Sequence, residues 1–144
     1  MGLFGPRRDP KDPQQLRVAV HELGHAYAWK AAGLTVRRIE HHGTTGDCHV
    51  RFYNNPDSLR GFVIGCWAGL EAENLWAQKT GQKRASRGNS SYDLTQFRKV
   101  NRELGAGRLS ESAARALARK HITRHYTAIM AAAPRLISQG RMSL

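Results

Sequence analysis

Val20-His21-Glu22-Leu23-Gly24-His25-Ala26 lies inside a run that reads as one helix, and its reading decides the fold. Leu16, Val18, Ala19 and Val20 lead into it with apolar side chains. Ala26, Ala28, Ala31 and Ala32 follow as small helix formers, and Gly33 is the stop. Asp12-Pro13 marks the start, with Asp as N-cap and Pro at the first helical position. The helix is therefore expected from Pro13 to about Ala32. Two histidines four apart share one face of such a helix. That spacing lets His21 and His25 reach one tetrahedral Zn²⁺. Glu22, beside the first histidine, can then act as general base on a zinc-bound water that attacks an amide carbonyl. Gly24 costs helix propensity, which makes sense where a neighbouring backbone or side chain comes close.

Outward from this helix, Thr35–His41 and Cys48–Tyr53 carry the β-branched and partly alternating patterns of strands, joined by a turn over Thr44–Asp47. A short strand pair beside the metal helix follows. Ser58–Thr80 reads as a second helix, with Phe62, Val63, Cys66, Leu70, Leu75 and Trp76 partly in helical spacing. Gly81–Ser90 is a polar, basic loop. A third helix begins near Ser91, with Leu94, Phe97, Val100 and Leu104 as its stripe. A fourth opens at Ser110 and meets Pro134, which is expected to kink or end it. The pattern predicts a mainly α-helical α+β domain over 13–144, with a helical C-terminal half, behind a flexible tail over residues 1–12.

The 144 residues suit one hydrophobic core. No apolar run approaches the roughly 18 residues that span a bilayer. The N-terminal stretch lacks the apolar segment of a secretory signal, so the expected location is cytoplasmic. Cys48 and Cys66 form no C-x-x-C pair; Cys66 belongs to an apolar helical run and reads as core. The net charge is +12, and the excess is uneven. Residues 1–60 carry 9 basic and 6 acidic groups, and the remainder 14 and 5. Such a second half invites nucleic acid or acidic partners. Nucleic acid is the less favoured of these, because the aromatics do not interleave with the basic residues in a reading pattern.

A catalytic zinc takes three protein ligands and keeps one position open. The metzincin extension needs Gly at 28 and His at 31, and both are Ala here. Glu40, Glu71, Glu73 and Asp93 remain as acids in suitable places. Spacing alone leaves Asp93 and Glu73 both open.

Val20–Ala26 closely resembles the His-Glu-Ala-Gly-His-Ala signature of the FtsH-type peptidase domain. Ala68-Gly69-Leu70-Glu71-Ala72-Glu73-Asn74-Leu75 is similar to that family's Gly-Gly-Arg-Ala-Ala-Glu-Glu helix, with Leu70 where the family has Arg. Ser91-Tyr92-Asp93-Leu94 resembles its Ser-Asn-Asp-Leu segment, with Tyr92 in place of Asn. The resemblance implies that Asp93 is the third zinc ligand beside His21 and His25, and that Glu22 is the catalytic base. It implies a zinc metalloendopeptidase acting on polypeptide. No Gly-x-x-x-x-Gly-Lys-Ser/Thr loop occurs in the sequence, so ATP-driven unfolding does not carry over. The expected substrates are unstructured or partly unfolded proteins, with a separate unfoldase or partner protein to open folded ones, and with room for self-association. The alternative expectation is a catalytically silent, peptidase-like basic adaptor or nucleic-acid-binding module.

Four further histidines compete for attention. His121 and His125 repeat the i, i+4 spacing, but Ile122 follows His121 where the base would stand. They read as a polar helix face. His41 and His42 read as solvated turn residues, with an oxyanion-stabilising role for one of them as the lesser alternative.

Overall fold

A computed structural model of the chain describes residues 7–144. Four α-helices and a three-stranded antiparallel sheet make a mainly helical α+β domain, as the sequence predicts. Helix α1 spans Pro13–Ala31. Strands β1 (Thr35–His41) and β2 (Gly46–Arg51) follow, then α2 (Pro56–Thr80), α3 (Ser91–Glu103), α4 (Glu111–Gln139) and β3 (Arg141–Met142). No helix among the described residues is long and apolar enough to cross a membrane.

Local chemistry fixes these boundaries. Asp12 occupies the N-cap of α1, although its side chain makes no cap bond. At the other end Gly33 takes φ +86°, and the Leu34 N–H donates to the Trp29 carbonyl at 3.0 Å. That left-handed turn closes the helix and launches β1. Asn55 caps α2 by accepting the Ser58 N–H at 2.9 Å, and Ser110 caps α4 through the Ala113 N–H at 3.1 Å.

Helices α1, α2 and α4 pack against one another around the core, and α3 covers α2. Leu23, Ile39, Trp67, Leu70, Ile122, Ile129, Leu136 and Ile137 are fully buried there. The α1–α2 contact is unusually close. A methyl group at Gly24 would lie 2.6 Å from Ala72 Cβ and 2.7 Å from the Ala68 carbonyl oxygen, the near approach that a glycine in the motif suggested. On α2, Gly61, Gly65 and Gly69 form a groove at successive turns. Trp29 lies directly over Gly65, and its indole N–H donates to the Phe62 carbonyl at 3.0 Å.

Three local features resolve or depart from the sequence reading. Of the two outcomes expected at Pro134, a kink or an end, the end does not occur: α4 runs through it. An interior proline costs about 3 kcal/mol. Leu136 and Ile137, fully buried just beyond it, contribute roughly 1.5–3 kcal/mol each, which outweighs that cost. Strand β2 begins at Gly46 rather than Cys48, because the His42 N–H closes a tighter turn onto the Thr45 carbonyl at 2.8 Å. Gly46 then pairs with His41. Strand β3 carries no sequence signal. Gly140, at φ +77°, turns the chain back, and its carbonyl accepts the His41 N–H at 2.9 Å. The sheet order is β2-β1-β3, which leaves β2 at an edge.

Of the expected tail, residues 1–6 lie outside the described residues. Arg8 donates from one guanidinium nitrogen to the carbonyls of His41 (2.9 Å) and Ile137 (3.0 Å). The Gln15 side chain bonds the Arg7 carbonyl and the Asp9 N–H.

His41 is not a solvated turn residue. It is fully buried, and both ring nitrogens serve structure. Nε2–H donates to the Gln15 carbonyl at 3.0 Å, and Nδ1 accepts the Gly43 N–H at 3.1 Å. That pattern requires the neutral ring. Burial, with the nearby Arg8 charge, holds its pKa below the ordinary value. The unfolded chain therefore binds the proton first, and stability is greatest above about pH 6.5 and falls as the pH drops below it. Thermal midpoints should decline from about pH 7 to about pH 5 more steeply in the wild type than in His41→Gln. Equal slopes would show that His41 does not titrate with unfolding.

Candidate metal centre

Helix α1 presents Arg17, His21 and His25 one turn apart toward α2 and α3. The two imidazoles are oriented from behind. His21 Nδ1–H donates to Glu73 Oε2 at 2.6 Å, and His25 Nδ1–H donates to the Gly65 carbonyl at 2.7 Å. Each bond fixes the tautomer that leaves the Nε2 lone pair free. Stacking of His25 on Trp29, with ring centroids 4.8 Å apart, holds the second ring further.

Both free nitrogens converge on Asp93, in the first turn of α3. Asp93 Oδ2 lies 3.0 Å from His21 Nε2 and 3.0 Å from His25 Nε2. The two nitrogens are 3.1 Å apart. Three donor atoms thus form a nearly equilateral triangle. Tetrahedral zinc, with bonds of about 2.0–2.1 Å, needs ligand atoms about 3.3 Å apart, so the set fits one face of its coordination shell. Glu73, the rival carboxylate, lies on the opposite side of the His21 ring. It orients that imidazole instead of joining the triangle.

Gly69 permits this geometry. A methyl group there would stand 2.5 Å from His25 Nε2 and 2.7 Å from His21 Nε2, so the imidazoles rest directly on the α2 backbone. Four residues on, the same face of α2 presents Glu73.

Glu22 stands beside the triangle. Its carboxylate and the two imidazoles offer atoms within 4.8 Å of one another. Asp93 makes the closer approach to both Nε2 atoms. Glu22 faces a cavity of about 360 Å³ lined by Arg17, His21, Thr44, Thr45, Gly46 and Glu73. Gly46 makes room for it: a methyl there would lie 2.8 Å from Glu22 Cγ. A second cavity, of about 270 Å³, opens beside Asp93. Trp29, Phe52, Phe62, Cys48, Val50 and Tyr92 help to line it. Strand β2 contributes to both cavities, through Gly46 to one and through Cys48–Val50 to the other.

The charges match a cation site. Burial alone would lower the His21 and His25 pKa values, but Asp93, joined for His21 by Glu73, outweighs it and raises both. Burial likewise opposes ionisation of Asp93, yet the two imidazoles hold its carboxyl well below the usual range. Glu22 is shifted upward, chiefly by burial, against the opposing pull of His21 and His25. Burial keeps the Cys48 thiol protonated, which does not suit a metal ligand.

His121 and His125 lie on α4, whereas His49 lines the cavity beside Asp93. His125 packs against Tyr27, with ring centroids 5.6 Å apart, and burial followed by the His125 and Arg124 charges lowers the His121 pKa. His42 is exposed and lies 3.2 Å from Asp47. Sequence reasoning missed the orienting roles of Glu73 and the Gly65 carbonyl, and the support of Gly69. The spacing Gly69-x-x-x-Glu73, one turn on a face opposed to the H-E-x-x-H helix, was the available signal. Comparison with protein-family models and with curated proteins found no match to this chain.

Proposed function

We propose that this chain is a zinc-dependent metalloendopeptidase acting on unstructured or partly unfolded polypeptide, the activity of the FtsH-type peptidase domain that its sequence resembles. The observation that carries this reading is the convergence of His21 Nε2, His25 Nε2 and Asp93 Oδ2 within 3.1 Å, with Glu22 beside them. His21, His25 and Asp93 would hold the zinc, which when bound supplies Lewis-acid polarisation of the scissile carbonyl. Glu22 takes a proton from the attacking water and passes it to the leaving amine. Its burial keeps that carboxylate away from bulk solvent and favours the proton it must carry. The free edge of β2 offers backbone N–H and C=O groups to an extended chain. A substrate paired there runs from the cavity beside Glu22 to the cavity beside Asp93.

An edge-strand site of this kind engages extended chain, and this sequence carries no phosphate-binding loop to unfold a substrate with ATP. Folded substrates thus fall to a separate unfoldase or partner protein. A cytoplasmic location goes with this reading, and with two cysteines that stay free thiols. The test is hydrolysis of a casein-type unfolded substrate by the purified, zinc-loaded chain. Turnover should be abolished by a chelator and indifferent to ATP, while a stably folded domain is spared. Rapid digestion of the folded domain would rule out the extended-substrate reading. Absence of both zinc uptake and hydrolysis would favour the basic adaptor instead.

A further inference from the structure

We propose that Arg17 is a positioning residue for the metal ligand His21, acting through the Glu73 carboxylate; the inference rests on the metal reading above. Arg17 precedes His21 by one helical turn, so both side chains leave α1 on the same face. They grip one carboxylate between them. His21 Nδ1–H donates to Glu73 Oε2 at 2.6 Å, and an Arg17 guanidinium nitrogen donates to Glu73 Oε1 at 3.2 Å. The Glu73 side chain is only 5% exposed, and Arg17 is the partner its second oxygen has. A buried carboxylate left with one partner would be costly, or would turn to find another.

Arg17 is itself held on two further sides. Its other terminal nitrogen donates to the Lys83 carbonyl at 2.6 Å, and its guanidinium lies 5.1 Å from the centre of the Trp76 ring. The rigid fork therefore has one position open to it, and that position fixes Glu73. Glu73 in turn sets the plane and tautomer of the His21 ring, and so the direction of its Nε2 lone pair. Helix α1 supplies both the ligand and, one turn earlier, the cation that aims it.

The experiment measures zinc affinity, by competition with a chromogenic chelator, for wild type, Arg17→Met, Glu73→Gln and the double variant. The downfield proton signal of His21 Nδ1–H is followed in the metal-free proteins. Arg17→Met keeps an apolar stem over Trp76 and removes the fork. Each single variant should weaken zinc binding ~10–100-fold, the usual cost of losing an outer partner of a ligand. The double variant should bind no more weakly than Glu73→Gln alone, because both act on one route. The His21 signal should broaden or shift in Arg17→Met. A purely structural tie between α1 and the following loop would lower the thermal midpoint and leave zinc affinity and the His21 signal unchanged. That outcome, or additive effects in the double variant, overturns the proposal. If the wild type takes up no zinc, the metal reading fails, and the His21 proton signal alone decides the role of Arg17. Should Arg17→Met fail to fold, Arg17→Leu, which also lacks a donor to Glu73, carries the same comparison.

Discussion

Glu22→Gln is expected to lower peptide hydrolysis by at least ~10²-fold, the lower range for losing a positioned acid–base group. The amide keeps the shape of the side chain, and the room that Gly46 leaves for it, but cannot accept the proton. Zinc should remain bound at full stoichiometry, because His21, His25 and Asp93 are untouched. Initial rates on an unfolded substrate and metal content of the same preparation check both halves. A variant that hydrolyses at the wild-type rate would remove Glu22 from the mechanism, whatever its metal content.

The second large effect concerns the ligands. Asp93→Ala takes away one corner of the triangle and leaves two imidazoles facing each other at 3.1 Å. Its zinc affinity should fall by more than the ~10–100-fold that an outer partner costs. Replacing both His121 and His125 by Ala should leave one zinc per chain. They share the i, i+4 spacing of the motif, but His125 packs on Tyr27 and its neighbours on α4 include Arg124. Zinc retained in Asp93→Ala and lost in the His121/His125 variant would move the metal to α4 and undo the assignment.

Helix α1 was legible because its ends are written in strong local chemistry, Asp12-Pro13 at the start and Gly33 at the stop, and Gly81 after α2 and Ser110 before α4 served in the same way. The third strand was not, because two residues paired through a glycine turn leave no periodicity to read. At Pro134 the sequence left a kink and an end both open, for a related reason. The cost of the proline is local, while the burial that outweighs it lies in Leu136 and Ile137. At the centre, the sequence placed both histidines and Glu22 by spacing within one helix. The choice between Asp93 and Glu73 depended on which carboxylate meets the Nε2 side of His21 and which the Nδ1 side. Those acids sit on different helices, and only the packing of α2 and α3 on α1 separates the two. His41 shows the same limit. Nothing near it in sequence announces that Gln15 and Gly43 will occupy both of its nitrogens.

The glycine groove of α2 has a further consequence, for how the molecule opens. Each glycine in a helix interior costs about 1 kcal/mol of helix propensity relative to Ala. Gly61, Gly65 and Gly69 make the middle of α2 a poor helix on its own. It is held straight by the Trp29, His25 and His21 rings seated in the groove. The two helices are therefore expected to separate and lose order together, as one cooperative unit. Amide hydrogens around Gly65 and Gly69 should exchange with solvent in the same rare excursions that scatter the imidazoles. A metal ion gripping those rings would slow that exchange far along α2, on a helix that supplies it with no ligand.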